Sequence, residues 1–379
     1  MHSADRPATR LATRLAFLVA GFGIACWAPL VPFAKTRLGV DDGVLGLLLL
    51  SLGIGSVVAM LMTGVMSARY GSKPIIIAGG LGLALVLPLL AVASTAATLA
   101  LALFAFGAAL GSIDVAMNIH AVEVERDAGR PLMSGFHALF SIGGFAGSAL
   151  MTALLSLQTG ALASTLTCSV LMLIAMLISW PRLLSSVQVQ DGPLFVLPHG
   201  SVLLLALLGA ITFLVEGAML DWSALLVIGA GLVSETQGGI GYIVFSIAMT
   251  VGRLGGDAVV ARIGDRATLI WGSLIAIAGF VVLLTAPAAA VAVAGFLLIG
   301  LGASNLVPVL FRRAARQTVM PTGLAVAAIT TAGYAGILVG PAGVGFVARL
   351  GGLPMAFWML AALMGLVTLS ARIVTRRRA

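Results

Sequence analysis

The chain has 379 residues, 60% of them hydrophobic and 9% charged, and a mean hydropathy of +1.16. Soluble domains carry roughly 25% charged residues, so this composition cannot build a water-facing surface, and its apolar exterior must face lipid. The net charge of +8 does not point to nucleic acid, because the basic residues sit at the ends of hydrophobic segments rather than in a stripe interleaved with aromatics.

A membrane-spanning helix needs about 20 apolar residues, and breaks at charged or Pro/Gly-rich stretches predict twelve of them. The first, 11–33, follows Arg6, Arg10 and Arg14 and imitates a signal peptide ending at Cys26. Many further segments follow it, which predicts an uncleaved first helix, carrying Trp27. Cys26 and Cys168 both lie in apolar segments, so neither a disulfide nor a metal site is expected. Segments 44–67 and 74–93 are joined by "GVMSARYGSK", residues 64–73.

The fourth segment, 97–122, holds an acid in an apolar setting. Between Pro74 and Ile113 there is no Asp, Glu, Lys, Arg or His, and then Asp114 appears, followed by Asn118. Gly107, Gly111, Asp114 and Asn118 follow helical spacing and form one stripe. A charge at membrane depth costs at least ~2.5–3.5 kcal/mol on insertion scales, so such a residue faces protein or a wet cavity. The fifth segment, 131–157, repeats the pattern with His137, Ser141, Gly144 and Ser148. Asp114 lies roughly 7 Å past the middle of its helix at 1.5 Å per residue, and His137 lies at a comparable depth. Asp114, Asn118 and His137 are therefore expected to share one pocket. Glu123, Glu125, Arg126, Asp127 and Arg130 are expected to form a solvated loop.

The sixth segment is 160–180. Residues 181–199, rich in Pro, Gly, Ser and Gln, read as a linker, so 1–180 and 200–379 are expected to be two six-helix bundles. The second contains segments 200–228, 237–260, 267–286, 288–310, 321–347 and 353–373. Its first helix carries Glu216 near mid-membrane, with Asp221 and Trp222 further along. Arg253 and Asp257 lie near the end of 237–260, Asn305 in 288–310 and Tyr334 in 321–347. Trp27, Asn305 and Tyr334 are soft candidates for solute contact.

Of the 21 Lys and Arg residues, all but Lys35, Arg37 and Arg349 fall on one side if the N-terminus is cytoplasmic. The positive-inside rule then places both termini in the cytoplasm of a bacterial inner membrane. A repeat appears at an offset of 193: "SARYG" (67–71) matches "VARIG" (260–264), Gly143 matches Gly336, and Gly147 matches Gly340.

Twelve spans in two parallel six-helix repeats resemble the major facilitator transporters. Residues 64–73 resemble that superfamily's loop motif G-x-L-x-D-R-x-G-R-K, with Gly64, Arg69, Gly71 and Lys73 in place and Ala68 where the Asp stands. The second copy, "GRLGGDAVVARIGDR" (252–266), supplies Arg253, Asp257 and Arg262. The resemblance implies a gate at these loops, and the missing acid predicts that the latch leans on Arg253 and Asp257. More narrowly, "GSIDVAMN" (111–118) resembles the fourth-helix pattern G-x-L-E-x-x-x-N of the fucose permease branch. Asp replaces Glu, and that branch's acid in helix one is missing.

Carried over, Asp114 becomes a protonation site and Asn118 a solute-side hydrogen bonder, with Glu216 and His137 as further proton-coupling candidates. The expected function is a monomeric secondary active transporter in which protons drive symport of a small polar, sugar-like solute. The alternative is a proton-driven exporter of amphipathic compounds or drugs. No cofactor and no enzymatic activity are expected, since no metal cluster, nucleophile motif or phosphate loop occurs.

Overall fold

The computed structural model describes residues 7–40, 42–185, 197–233 and 240–376. The middle of the expected linker, 186–196, lies outside them. Among the described residues every long regular element is an α-helix. These are α1 (Pro7–Trp27), α2 (Val31–Leu38), α3 (Asp42–Tyr70), α4 (Ser72–Val92), α5 (Ala96–Ala128) and α6 (Met133–Ser156). There follow α7 (Ala161–Ser179), α8 (Gly200–Gly229), α9 (Ile240–Leu284), α10 (Ala289–Ala303), α11 (Leu306–Arg316) and α12 (Thr322–Val374).

Two of these helices are double. α9 turns at Gly264 (φ 79°) and α12 at Gly351–Gly352 (Gly352 φ 81°), conformations that glycine adopts without steric cost. Among the described residues ten stretches are long and apolar enough to cross a membrane; the second arm of α9 and the shorter apolar stretch Thr322–Ile337 bring the spans to twelve. The tenth span is discontinuous, formed by α10 and α11 with a break at Ser304–Asn305. This corrects the expectation of one helix over 288–310. Pro308 is the cause: its ring has no N–H and clashes with the carbonyl four residues back, that of Ser304.

Helix ends follow local chemistry. α5 starts in a capping box, in which Thr95 Oγ1 accepts the Thr98 N–H and Thr98 Oγ1 accepts the Thr95 N–H, both at 3.1 Å. It ends six residues later than expected, at Ala128, where Gly129 turns with φ 63°. Glu123, Glu125, Arg126 and Asp127 are thus helical rather than a loop, and Glu125 is buried. At the far end of α4, Arg37 of α2 donates to the carbonyls of Leu90 (2.8 Å), Ala91 and Ala93 (3.0 Å), capping the exposed C-terminus.

The chain divides into two compact units. The first takes most of the residues up to 196 together with Pro321–Ala327, and the second takes most of the rest together with Pro131–Gly135. Inside each, helices approach at glycines, and the approaches repeat. A Cβ on Gly107 of α5 would collide with the Leu52 carbonyl oxygen of α3. In the second unit a Cβ on Gly300 would meet the Phe245 carbonyl oxygen, and both partners lie 193 residues further on. Gly143 abuts the Leu18 carbonyl in the first unit, and Gly336, one repeat on, abuts that of Ala210 (2.6 Å from a Cβ) in the second, its partner one residue off the repeat. The offset seen in the sequence is a repeat of helix contacts. Gly71 and Gly264, one repeat apart, share φ values of 80° and 79°.

Candidate functional site

The polar candidates are divided between the two units. In the first unit α5 supplies Asp114 and Asn118, one helical turn apart, both buried. Asn118 Nδ2 donates to Asp114 Oδ1 at 3.1 Å and to the Asp114 main-chain oxygen at 2.9 Å. A hydrogen bond to a charged acceptor contributes roughly 1.5–3 kcal/mol, comparable to the insertion cost of the carboxylate. His137, on α6, is also buried and stands edge-on to Phe17 of α1, with ring centroids 5.2 Å apart. Phe17 stacks on Phe136 at 5.8 Å. Trp27 closes the same helix as Phe17 and is 4% exposed.

In the second unit a cluster is built around Arg253, on the first arm of α9. Its Nη2 lies 3.2 and 3.4 Å from the two carboxylate oxygens of Glu216 on α8. Its Nε donates to the Ser304 carbonyl at 3.3 Å. That carbonyl is the one Pro308 leaves without its helical partner, so Arg253 satisfies a main-chain group that the helix break releases. Asn305, at the break, donates from Nδ2 to the Gly252 carbonyl (3.0 Å) and to Ser304 Oγ (2.9 Å). Tyr334 on α12 tilts against Phe213 of α8 with centroids 6.4 Å apart. Irregular backbone at membrane depth is tolerated only where protein or a cavity surrounds it, and a broken span is a frequent mark of a binding site.

Three buried polar atoms have no hydrogen-bond partner among the described residues and are offered by solute-contact candidates: Trp27 Nε1, Asn118 Oδ1 and Asn305 Oδ1. Buried polar groups are nearly always satisfied in native proteins. In the first unit these are a donor, Trp27 Nε1, and an acceptor, Asn118 Oδ1, whereas in the second unit Asn305 Oδ1 packs against Gly256.

The gating candidates take several forms. Arg69 lies over the ring of Tyr70, 5.4 Å from its centroid, and Lys73 Nζ reaches Ser185 Oγ at 3.3 Å. A Cβ on Gly64 would lie 2.7 Å from Cβ of Ala327, in the segment that joins the first unit. Arg262 is exposed. Within the second unit, Asp257 accepts the main-chain N–H of Ser134 at 3.0 Å and of Gly135 at 2.9 Å, in the first turn of α6. It caps that helix from a distance, favoured by the helix dipole. Asp257 sits one repeat after Gly64, so the second motif copy carries its acid one turn before the position of Ala68 and Ala261.

Sequence reasoning gave Arg253 to the loop motif and did not foresee its bond to Glu216. Both are charges in apolar helices, and the demand for neutrality could have paired them. His120 was also missed. Fully buried in the first unit, it meets Thr13 Oγ1 through Nδ1 (3.2 Å) and accepts the Leu184 N–H on Nε2 (3.0 Å), fixing the neutral Nδ1–H tautomer.

Comparison with known proteins agrees with this architecture. The profile of the Major Facilitator Superfamily matches residues 14–315. An uncharacterised MFS-type transporter of Yersinia pestis is 51% identical over 368 residues, covering 97% of this chain and 96% of the relative. Among solved structures, the MFS transporter FucP in its outward conformation superposes with a TM-score of 0.78 and a variant of the E. coli fucose:proton symporter FucP with 0.73, each at 16% identity and covering 99% of this chain and 100% of that one. The human organic anion transporter MFSD10 gives 0.76 at 18% identity, covering 97% and 100%. At such identities the likeness is one of fold.

Proposed function

The chain belongs to the major facilitator superfamily, and on that footing we propose that it is a secondary active transporter coupling protons to symport of a small polar, sugar-like solute. It works in the inner membrane of a bacterium with both termini cytoplasmic. FucP, whose fold it shares, is named as a fucose:proton symporter.

The observation that carries the proposal is the Asp114–Asn118 pair. While Asp114 is ionised, the Asn118 amide nitrogen faces it and the amide oxygen is left over. When Asp114 takes a proton, its hydroxyl becomes a donor, and a rotated Asn118 turns its oxygen to the acid and its NH2 to the solute. Proton loading thus changes what Asn118 offers a ligand, which is the coupling a symporter needs. Trp27 adds a donor in the same unit, Asn305 is a separate solute-contact candidate in the second unit, and His137 is the second proton-coupling candidate. Glu216, held by the Arg253 guanidinium, serves as a fixed charge that keeps the broken tenth span in place.

The gate leans on Asp257. Its carboxylate holds the first turn of α6, and releasing those two N–H groups frees Pro131–Gly135 to move. The test is uptake. Hexoses, pentoses and polyols are screened by thermal shift on the purified protein, and any that binds is assayed in proteoliposomes with and without an imposed pH gradient. Accumulation that ignores the gradient would remove the proton from the mechanism.

A further inference from the structure

At the turn of α9 one carboxylate faces three guanidiniums. Asp265, the residue after Gly264, receives Arg312 Nη1 on Oδ1 at 2.8 Å, while Oδ2 is shared by Arg316 at 3.4 Å and Arg313 at 3.7 Å. Arg312 is fully engaged and buried. Arg313 spends its Nε on the Val374 carbonyl at 2.9 Å, and the Arg316 side chain is 61% exposed. Arg262 and Arg266 flank Asp265 in sequence, both exposed, and no acidic partner for either is found among the described residues. Three arginines thus share one aspartate, with the exposed Arg262 and Arg266 close by in sequence, so this end of the second unit is rich in basic side chains.

This basic end adjoins lipid-facing surface. Trp271 is 60% exposed on the second arm of α9, six residues beyond Asp265, or about 9 Å along the axis at 1.5 Å per residue. Ile373, beside Val374, is 65% exposed. An indole prefers the level of the lipid glycerol backbone, which sets the arginines at headgroup height. Guanidinium forks match phosphate oxygens in geometry as well as charge.

We propose that the arginines around Asp265, with Arg266 and Arg316 as the exposed arms, bind the phosphate of an anionic phospholipid in the adjoining leaflet. The ligand is the lipid, held by its headgroup on the arginines and by its glycerol and chains against Trp271. This site is independent of the solute pocket and of the coupling ion.

The experiment uses the delipidated protein in neutral detergent, titrated with phosphatidylglycerol, phosphatidylcholine or inorganic phosphate and followed by native mass spectrometry and thermal unfolding. Phosphatidylglycerol is expected to bind and to raise the unfolding midpoint by several degrees, and the other two to do neither. Arg266→Gln/Arg316→Gln spares the buried Arg312–Asp265 pair and is expected to weaken phosphatidylglycerol at least tenfold. Arg126→Gln/Arg130→Gln, with the same loss of charge in the first unit, is expected to leave it unchanged. Equal weakening by both variants, no weakening by the first, or equal stabilisation by inorganic phosphate would each overturn the proposal. A purely structural role for the arginines would shift the midpoint without lipid and leave the lipid-dependent increment intact.

Discussion

Arg253 holds both carboxylate oxygens of Glu216, at 3.2 and 3.4 Å, from a helix 37 residues further along the chain. Removing one partner of a buried pair strands the other charge, at a cost of about 3–5 kcal/mol, whereas replacing both can be nearly neutral. Glu216→Gln and Arg253→Met are each expected to lower the unfolding midpoint sharply, and the double variant to recover most of the loss. Thermal unfolding of the four proteins in detergent gives the coupling directly. Additive single effects would mean that the two side chains are stabilised separately.

Asp114→Asn should abolish gradient-driven accumulation while solute exchange across the membrane continues at near the wild-type rate. Exchange needs the pocket to alternate but moves no net proton. The check is counterflow beside pH-driven uptake in the same vesicles. Loss of both would make Asp114 a structural residue, and undiminished accumulation would pass the coupling role to His137.

The glycine contacts predict an order of tolerance. Gly107→Val and Gly300→Val force a side chain into a neighbouring main-chain carbonyl, and overpacking of this kind typically costs about 1–3 kcal/mol. Gly365 in α12 has nothing within 4 Å of a Cβ. Gly365→Ala should therefore be neutral or stabilise by about 0.5–1 kcal/mol through helix propensity. Unfolding midpoints rank the three, and equal losses would contradict the contacts.

At the gate, Asp257→Asn removes the charge that caps α6 and should shift the balance of inward- and outward-open states more than Arg69→Ala, whose partner is the adjacent Tyr70 ring. Spin-label distances across the loops at Gly71 and Gly264 report this balance. Equal shifts would argue for two symmetric latches.

Spans and repeat were legible because lipid demands them: solid apolar runs, charged ends and glycines at fixed spacing all follow from the bilayer. The Asp114–Asn118 pair was legible too, since four-residue spacing sets two side chains on one face. The Glu216–Arg253 bond was not, because helical periodicity says nothing about which distant helix a charge will meet. The broken tenth span left a signal in Pro308 that its apolar surroundings obscured. The length of α5 is not legible in the charges of 123–127, because charge does not end a helix and Gly129 does.

One repeat before Pro308 stands Val115, and one repeat before Val307 stands Asp114. The two halves carry the marks of a duplicated six-helix ancestor, and these neighbouring positions are where the copies parted ways. One kept its helix whole and acquired an acidic side chain. The other carries an imino acid, which frees the Ser304 carbonyl from its helix and leaves it to the Arg253 guanidinium. Corresponding stretches of the two copies are thus polar in both, once by what hangs from the backbone and once by the backbone itself.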